Sequence, residues 1–307
     1  MKLAVSGTSG LVGSALLPAL YADGHVVTRL VRPGAALRSD PEAAGARDIR
    51  FEIAGNSIDA GALDGVEAVV HLAGVGIAAA RWTARHLEAV RSSRVDGTRL
   101  LATTLARLAR PPRLLVQASA VGYYGDRGDE ILTEASAPGR GFLAETCIAW
   151  EAAAAPLRDR GVRVVPLRFG VILSARGGAL AKMLLPFRLG LGGVVGSGRQ
   201  WMPWIGLDDA VGIIRRVIDD TALDGAVNAV APEPVTNRQF TAALGRALRR
   251  PTFLPVPAFA ARLALGGMAD ALLLASARVT PQRLTAAGYP YIYGALQPAL
   301  EAALREG

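Results

Sequence analysis

The chain opens on a short, unbroken apolar run over residues 2–6 that ends in glycine. Such a run, without polar alternation, predicts a strand covered on both faces, as in a parallel sheet. Over residues 14–22 the apolar positions fall at helical spacing and stop near Gly24, a residue suited to a helix C-terminus. Residues 25–32 read as a second strand, so the N-terminus predicts a strand–helix–strand unit. Further buried strands are expected at residues 68–72, 114–118 and 162–167, with helical stretches over 83–109 and 142–160. Apolar strands alternating with helices predict an α/β fold, a doubly wound parallel sheet with helices on both faces.

The texture changes after Gly170. Glycines crowd residues 177–178, 190–193 and 196–198, and prolines punctuate residues 251–257. This divides the chain into a first domain over residues 1–170 and a smaller C-terminal α/β region over 171–307 that covers a substrate. One helix near 208–220 is expected to return to the sheet. The apolar stretch at residues 263–275 contains Asp270, is too short to span a bilayer, and predicts a buried helix.

Composition narrows the partners. The net charge of +8 raises the question of nucleic acid, but the arginines are spread and no basic block is interleaved with aromatics, so no nucleic-acid partner is expected. The charge favours an anionic small ligand. Cys147 is the single cysteine, which excludes an intramolecular disulfide and fits a cytoplasmic protein. His25, His71 and His86 lack metal-ligand spacing, so no metal is expected. The first apolar run is too short for a signal peptide, and no membrane partner is expected.

The chemistry concentrates at Gly7-Thr8-Ser9-Gly10-Leu11-Val12-Gly13, which follows a strand and opens a helix. Glycines there allow a tight turn and close backbone approach, and the helix start offers free N–H groups to a pyrophosphate. The expected architecture is therefore a Rossmann-type dinucleotide site. A site preferring NAD would place an acid at the end of the second strand; this chain has Arg29 and Arg32 instead. A guanidinium suits a 2′-phosphate, and Arg32 stands at the strand end, so the cofactor expected is NADP(H). Other strand ends nominate Leu72-Ala73-Gly74, Ser119, and Arg168 with Gly170 for the same crevice.

The glycine loop, His71-Leu72-Ala73-Gly74, and Ser119 ahead of Tyr123-Tyr124-Gly125 resemble the extended short-chain dehydrogenases of the epimerase/dehydratase type. Arg81-Trp82-Thr83, Ser93-Arg94, Phe142-Leu143-Ala144-Glu145, Trp150-Glu151, Gly198-Arg199-Gln200 and Trp204-Ile205 resemble one atypical branch, labelled cell-division-inhibitor-like (SulA-type), with a C-terminal domain of unknown function. The resemblance implies that Arg32, Leu72, Ala73 and Arg94 touch the cofactor. That branch usually reads Trp-Ile-His where this chain has Trp204-Ile205-Gly206.

Active members of the wider family carry a Tyr-x-x-x-Lys pair for proton transfer, beside a serine that polarises the carbonyl. Ser119 takes the serine position, but Leu143 and Cys147 stand where the pair should be. Tyr123 and Tyr124 are the weaker substitutes, and Glu145 and Cys147 read as a helix-start acid and a core thiol. Lys182, Arg199 and Trp201 are candidates for holding a substrate. Two functions remain: an NADP(H)-dependent oxidoreductase or epimerase on a small carbonyl or nucleotide-sugar-like molecule, or an NADP(H) redox sensor acting through a protein partner. A monomer or homodimer is expected.

Overall fold

The computed structural model describes residues 1–34 and 47–305. The chain runs β1 (Lys2–Ser6), α1 (Leu11–Ala22), β2 (Val26–Val31), β3 (Arg47–Glu52), β4 (Ser57–Ile58), β5 (Ala68–His71), α2 (Ala84–Ala106) and β6 (Leu114–Ala120). It continues through β7 (Ile131–Leu132), α3 (Phe142–Ala152), α4 (Ala155–Arg158), β8 (Arg163–Phe169), β9 (Val171–Leu173) and α5 (Gly178–Arg188). Then come β10 (Trp201–Met202), β11 (Trp204–Gly206), α6 (Leu207–Asp219), β12 (Val227–Ala229), β13 (Val235–Thr236) and α7 (Asn237–Leu248). The C-terminal part holds α8 (Ala258–Leu265), α9 (Gly267–Ala269), β14 (Arg278–Val279), α10 (Gln282–Ala286) and α11 (Leu296–Arg305).

One sheet of eight strands has the order β12-β8-β6-β5-β1-β2-β3-β4. Its pairings are parallel except β3 with β4. Successive residues of β1 serve opposite faces: Leu3 and Val5 pack with Leu16 and Leu20 of α1 and Ile214 and Val217 of α6, whereas Ala4 packs with Leu101 and Leu105 of α2. This two-sided burial is why the strands read as unbroken apolar runs. The strand order reverses direction between β1 and β5, so their carboxyl ends frame the crevice where such sheets bind ligands.

The returning helix is α6, which places Ala210, Ile213, Ile214 and Val217 on one buried face. Beyond it β12 pairs with β8 and adds an edge strand that three residues were too few to announce. The helical stretch expected over 142–160 is broken into α3 and α4. The buried helix expected over 263–275 is corrected: α8 ends at Leu265, a π turn covers Asp270–Leu274, and Leu263 is 84% exposed. Gly266, at φ +61, reverses the chain there and prevents one continuous helix. A separate core in the C-terminal region joins Leu180 and Leu184 of α5, Phe240 and Leu244 of α7, and Leu300 of α11 around Trp204. No helix of the described residues is long and apolar enough to cross a membrane.

Candidate functional site

At the switch point the glycine loop touches the end of β5. Gly7 has φ +72, and a Cβ placed on it would lie 2.7 Å from the Leu72 carbonyl carbon. A Cβ on Gly13 would lie 2.2 Å from the Gly7 oxygen, so α1 can start only against a residue without a side chain. Gly10 caps α1 without a side-chain hydrogen bond, and the helix has no acid in its first turn. Its leading N–H groups, from Leu11, Val12 and Gly13, therefore face outward with the positive end of the helix dipole. Thr8 is half-buried and Ser9 exposed on the rim. Leu11 is in turn covered from the C-terminal region, since Gly178 leaves only 3.2 Å between a would-be Cβ and the Leu11 side chain.

A hydrogen-bond brace fixes this junction. Ser6 Oγ lies 2.6 Å from His71 Nδ1 and accepts from the N–H groups of Leu72 and Ala73. If those two backbone donors leave the serine proton for Nδ1, the proton of the neutral imidazole sits on Nε2, which is buried without a hydrogen-bond partner among the described residues. Burial lowers the His71 pKa from 6.5 to about 4. His71 was not among the expected site residues, because its role appears only when β1 and β5 pair. The sign of its pH effect follows: a base with a lowered folded pKa destabilises the fold as pH falls from 6.5 toward 4. The full span is worth ~3 kcal/mol. Denaturant unfolding at pH 7.5 and pH 5 should show a smaller acid loss in His71→Phe than in wild type; an equal loss would refute this assignment.

The arginines sort by their partners. Arg29 is held by Asp48 of β3, with Nε 2.6 Å from Oδ1 and Nη2 3.0 Å from Oδ2. Arg32 is exposed just past the end of β2. Arg94 reaches from α2 beneath Gly74, donating to the carbonyls of Val75 and Val90 at 2.9 and 3.0 Å. It has no carboxylate partner among the described residues, and burial lowers its pKa while the neighbouring Cys147 opposes the shift. Its guanidinium also lies over the Trp150 ring at 5.1 Å.

The polar centre lies at the ends of β6 and β8. Ser119 Oγ donates to Glu151 Oε1 at 2.6 Å. Arg168 clasps the same carboxylate with two bonds of 2.9 Å, Nε to Oε1 and Nη2 to Oε2. Its Nη1 donates to the Tyr124 hydroxyl at 2.9 Å, and that hydroxyl donates to Asn228 Oδ1 at 2.6 Å. Gln117, two residues before Ser119, donates to the Trp150 carbonyl and so sets α3 against β6 with Glu151 at Ser119. Arg168 is only 4% exposed and turns into the protein rather than into the crevice. Burial alone would lower its pKa; the Glu151 and Tyr124 contacts outweigh this and raise it. Burial raises the Tyr124 pKa against the pull of Arg168, and with no exposed surface Tyr124 braces the network. Tyr123 is half-buried, stacks on Arg168 with its ring centroid 3.4 Å from Cζ, and has a hydroxyl without a hydrogen-bond partner among the described residues.

Glu151 is the residue that sequence spacing missed. It lies one helical turn beyond Cys147, outside the expected Tyr-x-x-x-Lys window; the Trp150-Glu151 string carried a resemblance but no role, and its carboxylate next to a strand-end serine supplies one. Cys147 is itself a buried thiol whose pKa burial pushes up to about 12, with Glu151 adding to the rise.

The expected substrate residues have separate partners. Lys182 Nζ donates to the Ala78 carbonyl. Arg199 is exposed on the turn after Ser197. Trp201 donates to Asp129 at 2.8 Å and lies under Arg278. Gly170 owes its missing side chain to packing, because a Cβ would lie 2.7 Å from the Pro203 oxygen. Gly206 faces the Tyr293 ring, and a Cβ placed on it would lie 3.1 Å from that ring's Cδ2. No metal-binding group of acids, histidines and cysteine occurs among the described residues.

Residues 3–229 match the model of the NAD dependent epimerase/dehydratase family, and residues 256–303 match a domain of unknown function. An epimerase family protein of Mycobacterium bovis is 41% identical over 298 residues, covering 97% of this chain and 96% of its own. The human epimerase family protein SDR39U1 is 36% identical over 310 residues, covering 100% of this chain and 99% of its own. Its crystal structure with NADPH superposes with a TM-score of 0.86 at 34% identity, covering 100% of both chains. A UDP-glucuronic acid 4-epimerase from Bacillus cereus, in complex with NAD, has a TM-score of 0.75 at 16% identity and speaks to the fold alone. The cell-division-inhibitor label finds no support in these matches, which carry the epimerase description instead. The chain belongs to the NAD dependent epimerase/dehydratase family, with that C-terminal domain.

Proposed function

We propose that the chain is an NADP(H)-dependent oxidoreductase or epimerase acting on a small carbonyl or nucleotide-sugar-like substrate. The observation that carries this reading is the uncapped start of α1, framed by Gly7 and Gly13 and set against Leu72 and Ala73 at the switch point. Arg32 past the end of β2 supports the phosphorylated cofactor, as does the NADPH in the human relative's crystal structure. Arg94, half-buried beneath Gly74 with no carboxylate partner among the described residues, adds a second cation to the crevice.

The bound cofactor supplies a hydride donor or acceptor. The chain's own residues supply the proton path. Ser119 directs its proton to Glu151 and so presents lone pairs, not a proton, to a substrate. An alcohol can pass its proton to Ser119 Oγ as the serine proton moves to Glu151 Oε1. Carbonyl reduction reverses the path and needs Glu151 protonated. Tyr123, with its free hydroxyl, is the second proton-bearing group of this site.

The sensor reading has one observation of its own: Leu143 and the inert Cys147 leave α3 without the usual proton-transfer pair. A panel of carbonyl compounds and nucleotide sugars separates the two. Turnover of NADPH that falls at least about 100-fold in Ser119→Ala supports catalysis. Tight NADPH binding without turnover across the panel favours the sensor. In the same binding assay, Arg32→Asp should weaken NADPH by about 10- to 100-fold while leaving NADH nearly unchanged; equal loss would remove Arg32 from the 2′-phosphate.

A further inference from the structure

We propose that the C-terminal region docks on an anionic lipid membrane through an exposed face of leucine, phenylalanine and arginine. Two segments build this face. The turn after α5 and the run leading into α8 lie side by side, with backbone bridges from Gly193 to Phe253 and from Val195 to Val256. Leu189 and Leu191 on the first segment are 64% and 57% exposed, and Phe253 on the second is 76% exposed. The flanking helices extend the same chemistry. On α5, Leu185 is 67% exposed one turn before Leu189. On α8, Phe259 and Leu263, also one turn apart, are 72% and 84% exposed. Side chains four apart share a helix face, so each helix offers an apolar pair to solvent, with Arg188 or Arg262 beside it.

Charge identifies the occupant. Residues 180–207 contain Lys182, Arg188 and Arg199 and no acid, and residues 234–269 contain five arginines and no acid. Arg188, Arg249 and Arg250 are exposed and have no carboxylate partner among the described residues. Arg262 has only an exposed pair with Asp270. A two-fold dimer through this face would lay the patch on itself, setting arginine against arginine with only Asp270, already paired with Arg262, to answer. An anionic bilayer answers both halves of the surface: acyl boundary for the leucines and phenylalanines, headgroups for the arginines. With 8 residues α8 is too short to span, so the contact lies in the interface plane. The lack of a spanning or signal segment, from which no membrane partner is expected, does not bear on a surface contact.

Vesicle co-sedimentation tests this on the full chain. Vesicles of phosphatidylcholine with phosphatidylglycerol should bind the protein, and vesicles of phosphatidylcholine alone should not. Each arginine near an anionic surface is worth about fivefold in partitioning, so Arg188→Glu with Arg250→Glu should lower it about twentyfold or more. Phe259→Ser with Leu263→Ser should lower it by a similar factor, about tenfold or more, while NADPH binding and circular dichroism stay unchanged. No binding to anionic vesicles, equal binding to neutral ones, or undiminished binding in either double variant would overturn the proposal. So would a dimer in light scattering that these substitutions dissociate without any vesicle binding, which would assign the face to a second copy.

Discussion

Alanine at position 13 should cost both fold stability and cofactor affinity, whereas alanine at position 10 should cost affinity alone. A Gly13 Cβ would meet three backbone atoms within 2.9 Å: the Gly7 oxygen, the Thr8 Cα and the Gly7 carbonyl carbon. None of them is the end of a flexible side chain, so α1 must shift off the loop. Overpacking of this kind costs about 1–3 kcal/mol. At Gly10 a Cβ would meet only the Gly7 oxygen, at 3.2 Å, and the backbone has φ −79, which any residue adopts. A methyl there sits instead on the outer side of the turn, where a pyrophosphate must approach. Losing two charge-assisted contacts of ~1.5–3 kcal/mol each lowers NADPH affinity at least about 100-fold in both variants. Denaturant midpoints measured without cofactor, beside NADPH titrations, separate the two. Equal stability of both variants with wild type would show that α1 does not rest on Gly7 in solution.

The same loop shows what the sequence could reveal. Glycines at fixed offsets between a strand-like apolar run and a helix suit the approach of a pyrophosphate, so the cofactor cradle was legible from residues 2–13 in that context. The parallel core was legible too, because burial on both faces leaves unbroken apolar runs. What escaped was set by pairing across long separations. His71 meets Ser6 only through β1 and β5, 65 residues apart in sequence. Glu151 meets Ser119 across 32 residues. The strand β3 hid because Arg47, Asp48, Arg50 and Glu52 surround its two buried residues, Ile49 and Phe51. Residues 263–275 failed in the opposite way. Their hydrophobicity was visible, but whether an apolar face turns inward or outward is decided by neighbours that periodicity does not contain.

Replacing Glu151 by leucine should be the most damaging single change at the polar centre. It removes the only carboxylate that the Arg168 guanidinium meets among the described residues, where that side chain is 5% exposed, and strands the Ser119 hydroxyl. Stripping one partner from a buried pair costs about 3–5 kcal/mol, because the remaining charge is left unanswered. Urea unfolding of Glu151→Leu should register that loss; a change below about 1 kcal/mol would mean that the pair does not persist in solution. The double variant Glu151→Leu with Arg168→Met then asks what the pair is for. Apolar residues of similar volume commonly replace a buried ion pair at little or no cost, so the double variant should recover most of the lost stability. If the pair were only a strut, that recovery would be complete in every respect. Should the protein use Ser119 and Glu151 as a proton path, the double variant will fold, bind NADPH and still fail to turn over any substrate that wild type accepts. Restored stability together with restored turnover would confine Glu151 to packing. The choice between these outcomes rests on one geometric fact, a serine at a strand end that gives its proton to a carboxylate within the protein.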